Sequence, residues 1–152
     1  LYHYTDRLSA ADIRRDGVIR AYPNTLHRDL LARDSGYKTG PLVWLTINPI
    51  MDLTVVSKMF SGGWPRSLVR DLWRFAVAGD YPVYSLGEYV DATGMDADWW
   101  DMAVMTGKIA GSDYTTWRLV IKDIPACDWQ TVEVLDSFDP ACGTVWKEAI
   151  EN

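Results

Sequence analysis

The sequence is poor in the residues that bind metals and form disulfides. Its 152 residues include two cysteines, Cys127 and Cys142, and two histidines, His3 and His27. Two cysteines are too few for a disulfide framework or a cysteine-based zinc site, and two histidines do not favour a His-rich metal site. We therefore expect no metal ion, and two unpaired thiols of the kind found in cytosolic proteins.

Long apolar runs and an excess of positive charge are also missing. No apolar run approaches the roughly 20 residues of a membrane-spanning helix, and the first residues lack the basic-then-apolar pattern of a secretory signal. Both observations favour a cytoplasmic protein without membrane contact. Lys and Arg number 15 against 21 Asp and Glu, so the formal net charge is −6 at pH 7. This balance argues against nucleic-acid binding driven by overall charge.

The chain is instead rich in aromatic residues that carry a polar group. It contains 8 Trp and 8 Tyr against 3 Phe. Such side chains combine an apolar body with a hydrogen-bonding group, so they suit either a core or a pocket that stacks flat rings. The hydrophobic fraction of 48% and the charged fraction of 24% are typical of globular proteins. The length predicts a single domain over residues 1–152.

Alternating or apolar segments predict six strands, over residues 1–5, 18–21, 41–46, 72–77, 117–121 and 131–135. A helix over 10–16 is expected to begin after Ser9 as N-cap and to end at Gly17. Further helices are predicted around Leu26–Leu31 and after Asp96. The segment 48–60 reads as helix or loop, 81–94 is ambiguous, a helix from Ser67 competes with the fourth strand, and 145–150 reads as a short tail. Strands with helices inserted early and in the middle predict an α+β fold.

The opening of the chain resembles a known family. The residues LYHYT at 1–5 are followed by the predicted capped helix, by Gly17-Val18-Ile19 and, after a gap, by VWLT at 43–46. This order is similar to the opening of the ADP-ribosyltransferase fold, in its small bacterial and phage-type branches whose first strand reads His-Tyr-Thr. The resemblance covers the first third of the chain, and the later strands fit in order and spacing. It implies two small packed sheets, antiparallel or mixed, with inserted helices around an NAD cleft.

The resemblance also implies which residues hold NAD. In that family the first-strand histidine hydrogen-bonds the ribose next to adenine, which gives this role to His3, with Tyr4 and Thr5 beside it. Thr46, at the end of the third strand, supports the site from the adjacent strand. An aromatic ring stacks on nicotinamide, for which the candidates are Tyr37, Tyr22 and Trp64. Each residue also has an ordinary structural interpretation: a histidine bonded to backbone, a core tyrosine and a strand-end hydroxyl.

The phosphates of NAD need cationic donors. Arg20, with Arg14 and Arg28 nearby, can pair with phosphate through two hydrogen bonds. A patch of Arg14, Arg15 and Arg20 also leaves nucleic acid open as a target, although the acidic chain makes a protein target the first expectation. The sequence does not indicate an oligomeric state.

The family places a carboxylate, most often Glu, at the start of the fifth strand. It binds the nicotinamide-ribose 2′-hydroxyl and stabilises the oxocarbenium-like cation as nicotinamide leaves. Here the region 112–118 reads SDYTTWR and contains no Glu. Asp113 is the nearest carboxylate, Thr116 stands where the Glu would be, and Glu133 on the sixth strand is an alternative. Bond cleavage needs a held dinucleotide and a nearby negative charge, which a threonine alone cannot supply.

These features predict an enzyme that cleaves NAD and transfers ADP-ribose to a macromolecule, as toxins and phage factors that act on host defence do in that family. The alternative is a catalytically weak or inactive module of the same fold that binds NAD, another nucleotide or a partner, and the missing Glu favours it. A 2′-phosphotransferase-like activity on RNA ranks last, because Leu1-Tyr2-His3 lacks the Arg of the required Arg-His pair.

Overall fold

A computed structural model of the chain describes residues 1–22, 40–50, 72–95, 97–110, 112–139 and 143–149. In chain order, its strands are β1 Tyr2–Asp6, β2 Val18–Ile19, β3 Val43–Thr46, β4 Leu72–Val77, β5 Tyr84–Ser85, β6 Trp117–Val120, β7 Ile124–Pro125, β8 Trp129–Asp139 and β9 Gly143–Glu148. Its α-helices are α1 Arg7–Asp16, α2 Leu86–Thr93 and α3 Ala97–Ala110, and two 3-10 helices cover Tyr114–Thr116 and Ala126–Asp128. The fold class is α+β, as predicted.

Seven strands form one antiparallel sheet with the order β5-β6-β3-β1-β4-β8-β9, and β2 pairs with β7 in a separate sheet. β1 pairs with β4 over five residues, and β3 pairs with β6 over four. Within the described strands, β1 and β3 share a single pair, Tyr2 opposite Thr46. The resemblance implied two small packed sheets, antiparallel or mixed. The chain instead forms one large sheet whose two halves diverge between β1 and β3, and a minor sheet of two short strands.

Alternation along the strands gives the large sheet two different faces. One face is covered by α1 and the small sheet, and its core contains Ala10, Ile19, Val43, Leu45, Phe75, Val77, Val120 and Ile124. The other face is covered in part by α2 and α3, and its core contains Leu42, Leu86, Tyr89, Trp99, Ala103, Trp117 and Leu119. The second core accounts for much of the aromatic content, since Trp44 also packs against it with ring centroids 5.4 Å from Trp117 and 6.4 Å from Trp99.

Helix α1 begins three residues earlier than the sequence pattern suggested. Asp6, not Ser9, is the N-cap: its carboxylate accepts the Ser9 amide at 2.9 Å and the Ser9 hydroxyl at 2.8 Å. The carboxylate thereby satisfies an amide that would otherwise lack an intrahelical partner. The helix ends at Gly17 as expected, in the left-handed conformation with a φ of 65° that a residue without a Cβ adopts easily.

The segment predicted as a short tail belongs to a strand. Residues 143–148 form β9, which pairs with β8 from Asp139 opposite Gly143 to Glu133 opposite Glu148. β8 is correspondingly longer than the predicted 131–135. Its extension and β9 lack the uniformly apolar character of β3 because both lie near the edge of the sheet. In the part of the chain that the structure describes, no helix has the length and apolar character to cross a membrane.

A close helix–sheet contact at Gly107 gives a stability prediction. A Cβ at this position of α3 would lie 3.0 and 3.2 Å from two ring atoms of Trp117 and 3.3 Å from the Cβ of Tyr114. We expect Gly107→Ala to destabilise the fold by about 1–3 kcal/mol, because overpacking exceeds the roughly 1 kcal/mol by which alanine favours a helix. The measurement is the free energy of unfolding from urea denaturation.

Gly87, in α2, is the matched control. A Cβ there meets Trp100 at 3.9 Å, an ordinary van der Waals distance. Gly87→Ala is therefore expected to leave stability unchanged or to raise it by up to about 1 kcal/mol. Equal effects of the two substitutions would contradict the close packing of α3 on Trp117.

Candidate active site

The imidazole of His3 lies where β1 and β3 begin to diverge. Its Nδ1 is 2.9 Å from the carbonyl oxygen of Trp44 on β3. A carbonyl oxygen can only accept, so Nδ1 carries the proton, and Nε2 of the neutral ring is an acceptor. The ring is half-buried, with its centroid 6.5 Å from that of Phe75. Burial lowers the pKa of His3, although the bond to Trp44 acts in the opposite direction.

This environment suits the role that the resemblance assigns to His3. The bond to Trp44 fixes the ring orientation and the tautomer, as a backbone carbonyl often does for a functional histidine. A neutral imidazole then presents Nε2 as an acceptor for a hydroxyl such as that of a ribose. The backbone-bonded and ligand-binding interpretations of His3 are therefore compatible, since they use different ring nitrogens.

The burial of His3 predicts acid sensitivity. The ordinary pKa of 6.5 applies to the unfolded chain, and folding lowers it. The part of the free energy of unfolding that depends on a neutral His3 is complete above pH 6.5. It is lost as the pH falls toward the folded-state pKa, because the unfolded chain takes up the proton first. Urea denaturation between pH 8 and 5 should show a wild-type free energy of unfolding that falls more steeply than that of His3→Asn, by up to about 1.4 kcal/mol per pH unit. Parallel curves would contradict a buried neutral imidazole.

Thr46 and Thr116 meet at the adjacent strand ends. The Thr116 hydroxyl donates to the carbonyl of Asp113 at 2.7 Å, so the 3.0 Å contact between the two hydroxyls requires Thr46 to donate to Thr116. The Thr46 oxygen accepts the amide of Asn48 at 3.0 Å. Both protons are thus used within the protein, and Thr116 keeps one acceptor position. Thr46 is 2% exposed, so it contacts Thr116 from the buried side.

The strand register places these residues close to one row across the sheet. Tyr2 of β1 is opposite Thr46 of β3, and Thr46 is opposite Trp117 of β6. His3 follows Tyr2 and Thr116 precedes Trp117, so each lies one residue from this row. With strands about 4.8 Å apart, β1 and β6 lie about 10 Å apart across the row. Because side chains alternate between the faces of a strand, His3 projects from one face of the sheet and Thr46 from the other, the face that it shares with Tyr2. The three residues therefore lie close together along the sheet, at the point where β1 and β3 diverge, without sharing a face.

Asp113 holds the turn that precedes Thr116. Its Oδ1 accepts the Thr115 amide at 3.0 Å and the Thr115 hydroxyl at 2.6 Å, and it caps the 3-10 helix Tyr114–Thr116. These hydrogen bonds lower the pKa of Asp113, so the carboxylate is ionised at neutral pH. The side chain is exposed. These contacts account for an aspartate at the start of this turn. The ionised Asp113 also places a negative charge three positions before Thr116.

Glu133 lies elsewhere in the sheet. It is on β8, which β4 separates from β1, and its two oxygens accept from Arg74 at 2.7 and 3.0 Å. The guanidinium of Arg74 in turn lies over the rings of Tyr2 at 4.7 Å and Trp146 at 4.3 Å. Arg74 and Glu133 are opposite each other, as are Arg74 and Tyr4. They therefore lie on the sheet face opposite to that of His3, the face that Tyr2 and Thr46 also share. What sets Glu133 apart is its distance of two strands from β1 and the neutralisation of its charge by Arg74.

The other predicted NAD-binding residues differ in their exposure to solvent. Tyr4 is 5% exposed and its hydroxyl donates to the Asn48 carbonyl at 2.8 Å; Thr5 is 8% exposed. Arg20 is exposed, with Asp16 at 3.5 Å. Tyr22 is 62% exposed beside Leu42, to which it is paired by two backbone hydrogen bonds. Tyr37, Trp64 and Arg28 lie outside the described residues.

Arg74 and Asn48 were not predicted from the sequence. Arg74 lies in the apolar strand LWRFAV, and a charged residue in such a strand must be paired if it is buried. That rule predicts a partner for Arg74 but does not identify it. Asn48 gives no comparable signal, because its bonds to Tyr4 and Thr46 come from its backbone groups.

Within the described ranges, no three His, Cys, Asp or Glu side chains lie close enough together to hold a metal ion. Comparison of the chain with protein-family models, with curated proteins and with solved structures finds no match. The functional interpretation therefore depends on the geometry of the chain's own residues.

Proposed function

We propose that the chain is an NAD-dependent ADP-ribosyltransferase, which cleaves the nicotinamide–ribose bond and modifies a macromolecule. The observation that carries this proposal is the contact between the Thr46 and Thr116 hydroxyls beside the point where β1 and β3 diverge, with the His3 ring held against the Trp44 carbonyl at the same point. The resemblance of LYHYT and VWLT to the family supplies the chemistry. A net charge of −6 favours a protein over a nucleic acid as the target.

Each group has a defined part in this proposal. Nε2 of His3 accepts a hydroxyl of the adenine-side ribose, and the oxygen of Thr116 accepts a hydroxyl of the nicotinamide-side ribose. The Asp113 carboxylate supplies negative charge near the cation that forms as the ribose–nitrogen bond breaks. Nicotinamide leaves readily, so holding the dinucleotide and stabilising the developing charge are the principal contributions that the protein makes.

A second function is favoured by the capping role of Asp113. Two hydrogen bonds from Thr115 already engage its Oδ1, and the expected Glu is absent. The same residues would then bind NAD without cleaving it. Nicotinamide release, measured with and without a mixture of candidate protein targets, separates the two functions. Nicotinamide release supports the transferase, and saturable NAD binding without release supports the binding module. The absence of both release and binding would overturn both functions.

Asp113→Asn tests the proposed charge without removing the cap. Asparagine keeps an oxygen that can accept from Thr115, so the turn should persist. We expect nicotinamide release to fall at least about tenfold, because a group that stabilises transition-state charge is lost. Asp123→Asn is the matched control: Asp123 accepts the Ala21 amide at 2.7 Å and is not part of the proposed site. Equal release by wild type and Asp113→Asn would exclude Asp113 as the charge.

A further inference from the structure

The four residues after β3, Ile47–Ile50, are held across the sheet by side chains from three different strands. We call this segment the strap. Its last three carbonyls each accept one side-chain hydrogen bond: Asn48 from Tyr4 on β1 at 2.8 Å, Pro49 from Arg74 on β4, and Ile50 from Thr144 on β9 at 3.0 Å. An irregular segment that is held at three consecutive carbonyls has a fixed path.

The amides of the strap connect it to the candidate site. The Ile47 amide donates to the Thr116 carbonyl at 3.0 Å, and the Asn48 amide donates to the Thr46 hydroxyl oxygen at 3.0 Å. The Ile50 amide donates to the Asn48 side chain at 3.0 Å. The strap therefore contacts both threonines, through the Thr46 oxygen and the Thr116 carbonyl, and its path holds the two residues relative to each other.

Arg74 is the charged member of the three groups that hold the strap carbonyls. It is 8% exposed, lies over two aromatic rings and has its charge neutralised by Glu133. A charge-assisted hydrogen bond is roughly twice as strong as a neutral one. The bond from Arg74 to Pro49 is therefore expected to contribute more to the position of the strap than the bonds from Tyr4 and Thr144.

We propose that Arg74 is a positioning residue for the nicotinamide-side ribose. Arg74 fixes Pro49, and the strap amides of Ile47 and Asn48 hold the Thr116 carbonyl and the Thr46 oxygen. The Thr116 hydroxyl donates to the Asp113 carbonyl and accepts from Thr46, so its remaining position can bind only a ligand group that donates, which a ribose hydroxyl can do and a phosphate or carboxylate cannot. This inference rests on the proposed function, and it adds that Arg74 acts on the ribose without touching it.

The test combines amide exchange with a substrate analogue. Arg74→Lys keeps the charge beside Glu133 but cannot supply the same set of donors. We expect the Asn48 and Ile50 amides to exchange about 3- to 10-fold faster with solvent deuterium than in wild type, because the strap is released. Wild type should bind NAD about 3- to 10-fold more tightly than NAD lacking the nicotinamide-ribose 2′-hydroxyl, and Arg74→Lys should reduce this ratio toward one.

Two further variants keep the test decisive. Thr144→Val removes the bond to Ile50, and with it the bond from Trp146 Nε1 at 3.1 Å, at a half-buried threonine, so it tests the strap even if Arg74→Lys fails to fold. It should accelerate the same two amides, by a smaller factor. Lys147→Met breaks the exposed ion pair with Asp136 and should change neither readout.

Unchanged amide exchange in Arg74→Lys and in Thr144→Val would mean that these side chains do not hold the strap, and it would overturn the proposal. Faster exchange with an unchanged ratio of affinities would overturn the positioning role. If wild type binds no NAD, the proposed function fails and the role toward ribose fails with it, whereas the exchange rates still decide whether Arg74 and Thr144 hold the strap.

Discussion

Replacing His3 with asparagine is expected to weaken NAD binding by about 10- to 100-fold while leaving the fold intact. The asparagine amide can occupy the position of Nδ1 and donate to Trp44 as the imidazole does at 2.9 Å. It has no group at the position of Nε2, so a buried ribose hydroxyl would lose its acceptor, at a cost of about 1–3 kcal/mol. Isothermal titration calorimetry gives the affinity, and thermal unfolding at pH 8 tests the fold.

His3→Gln is the complementary variant, because its amide reaches the position of Nε2 but not that of Nδ1. It should lose the bond to Trp44 and therefore stability, while it retains part of the NAD affinity. The opposite ranking, in which His3→Asn binds NAD as wild type does, would mean that Nε2 does not contact the ligand.

Arg74→Met is expected to lower the free energy of unfolding by about 3–5 kcal/mol, the largest stability effect that we predict. Removing one member of a buried ion pair leaves the other charge without a partner, and here Glu133 has a side chain 19% exposed. The rings of Tyr2 and Trp146 also lose a cation at 4.7 and 4.3 Å. Chemical denaturation measures the effect.

Two controls separate the loss of a buried partner from the loss of any ion pair. Lys147→Met breaks a pair in the same sheet whose side chains are 61% and 49% exposed, and it should change stability by no more than about 1 kcal/mol. The double variant Arg74→Met/Glu133→Gln should recover part of the loss, because no unpaired charge remains. A small effect of Arg74→Met would contradict a buried, tightly paired guanidinium.

The regular elements of the core were predictable from local pattern. The apolar segments at 43–46, 72–77 and 117–120 are strands, within two residues of the predicted bounds, because buried strands are marked by continuous apolar character. The helix after Asp96 is also found, as α3. A predicted helix around Leu26–Leu31 lies outside the described residues.

The remaining features depend on contacts that sequence pattern does not encode. Whether Asp6 or Ser9 caps α1 depends on where β1 ends, and β9 becomes a strand because β8 extends beside it. The divergence of β1 from β3 after one shared pair is likewise a property of the assembled sheet.

In the candidate site, too, some features could be predicted from the sequence and others depend on contacts in the assembled sheet. The resemblance pointed to His3, Thr46 and Thr116; the structure brings the hydroxyls of Thr46 and Thr116 into contact, and His3 lies one residue from Tyr2, which is opposite Thr46, on the other face of the sheet. It also gives the two candidate carboxylates different settings, since Asp113 lies in the turn before Thr116 and Glu133 is paired with Arg74. Sequence alone could not separate these two, because the distinction depends on strand order and on a cross-strand partner.

A crystal structure of the chain with NAD tests the central claim most directly. The account predicts that the dinucleotide lies where β1 and β3 diverge, with a hydroxyl of the adenine-side ribose within hydrogen-bonding distance of Nε2 of His3. It also predicts a hydroxyl of the second ribose at Thr116. A structure obtained at saturating NAD in which His3 is enclosed by packed side chains, and NAD is absent or bound elsewhere, would contradict it.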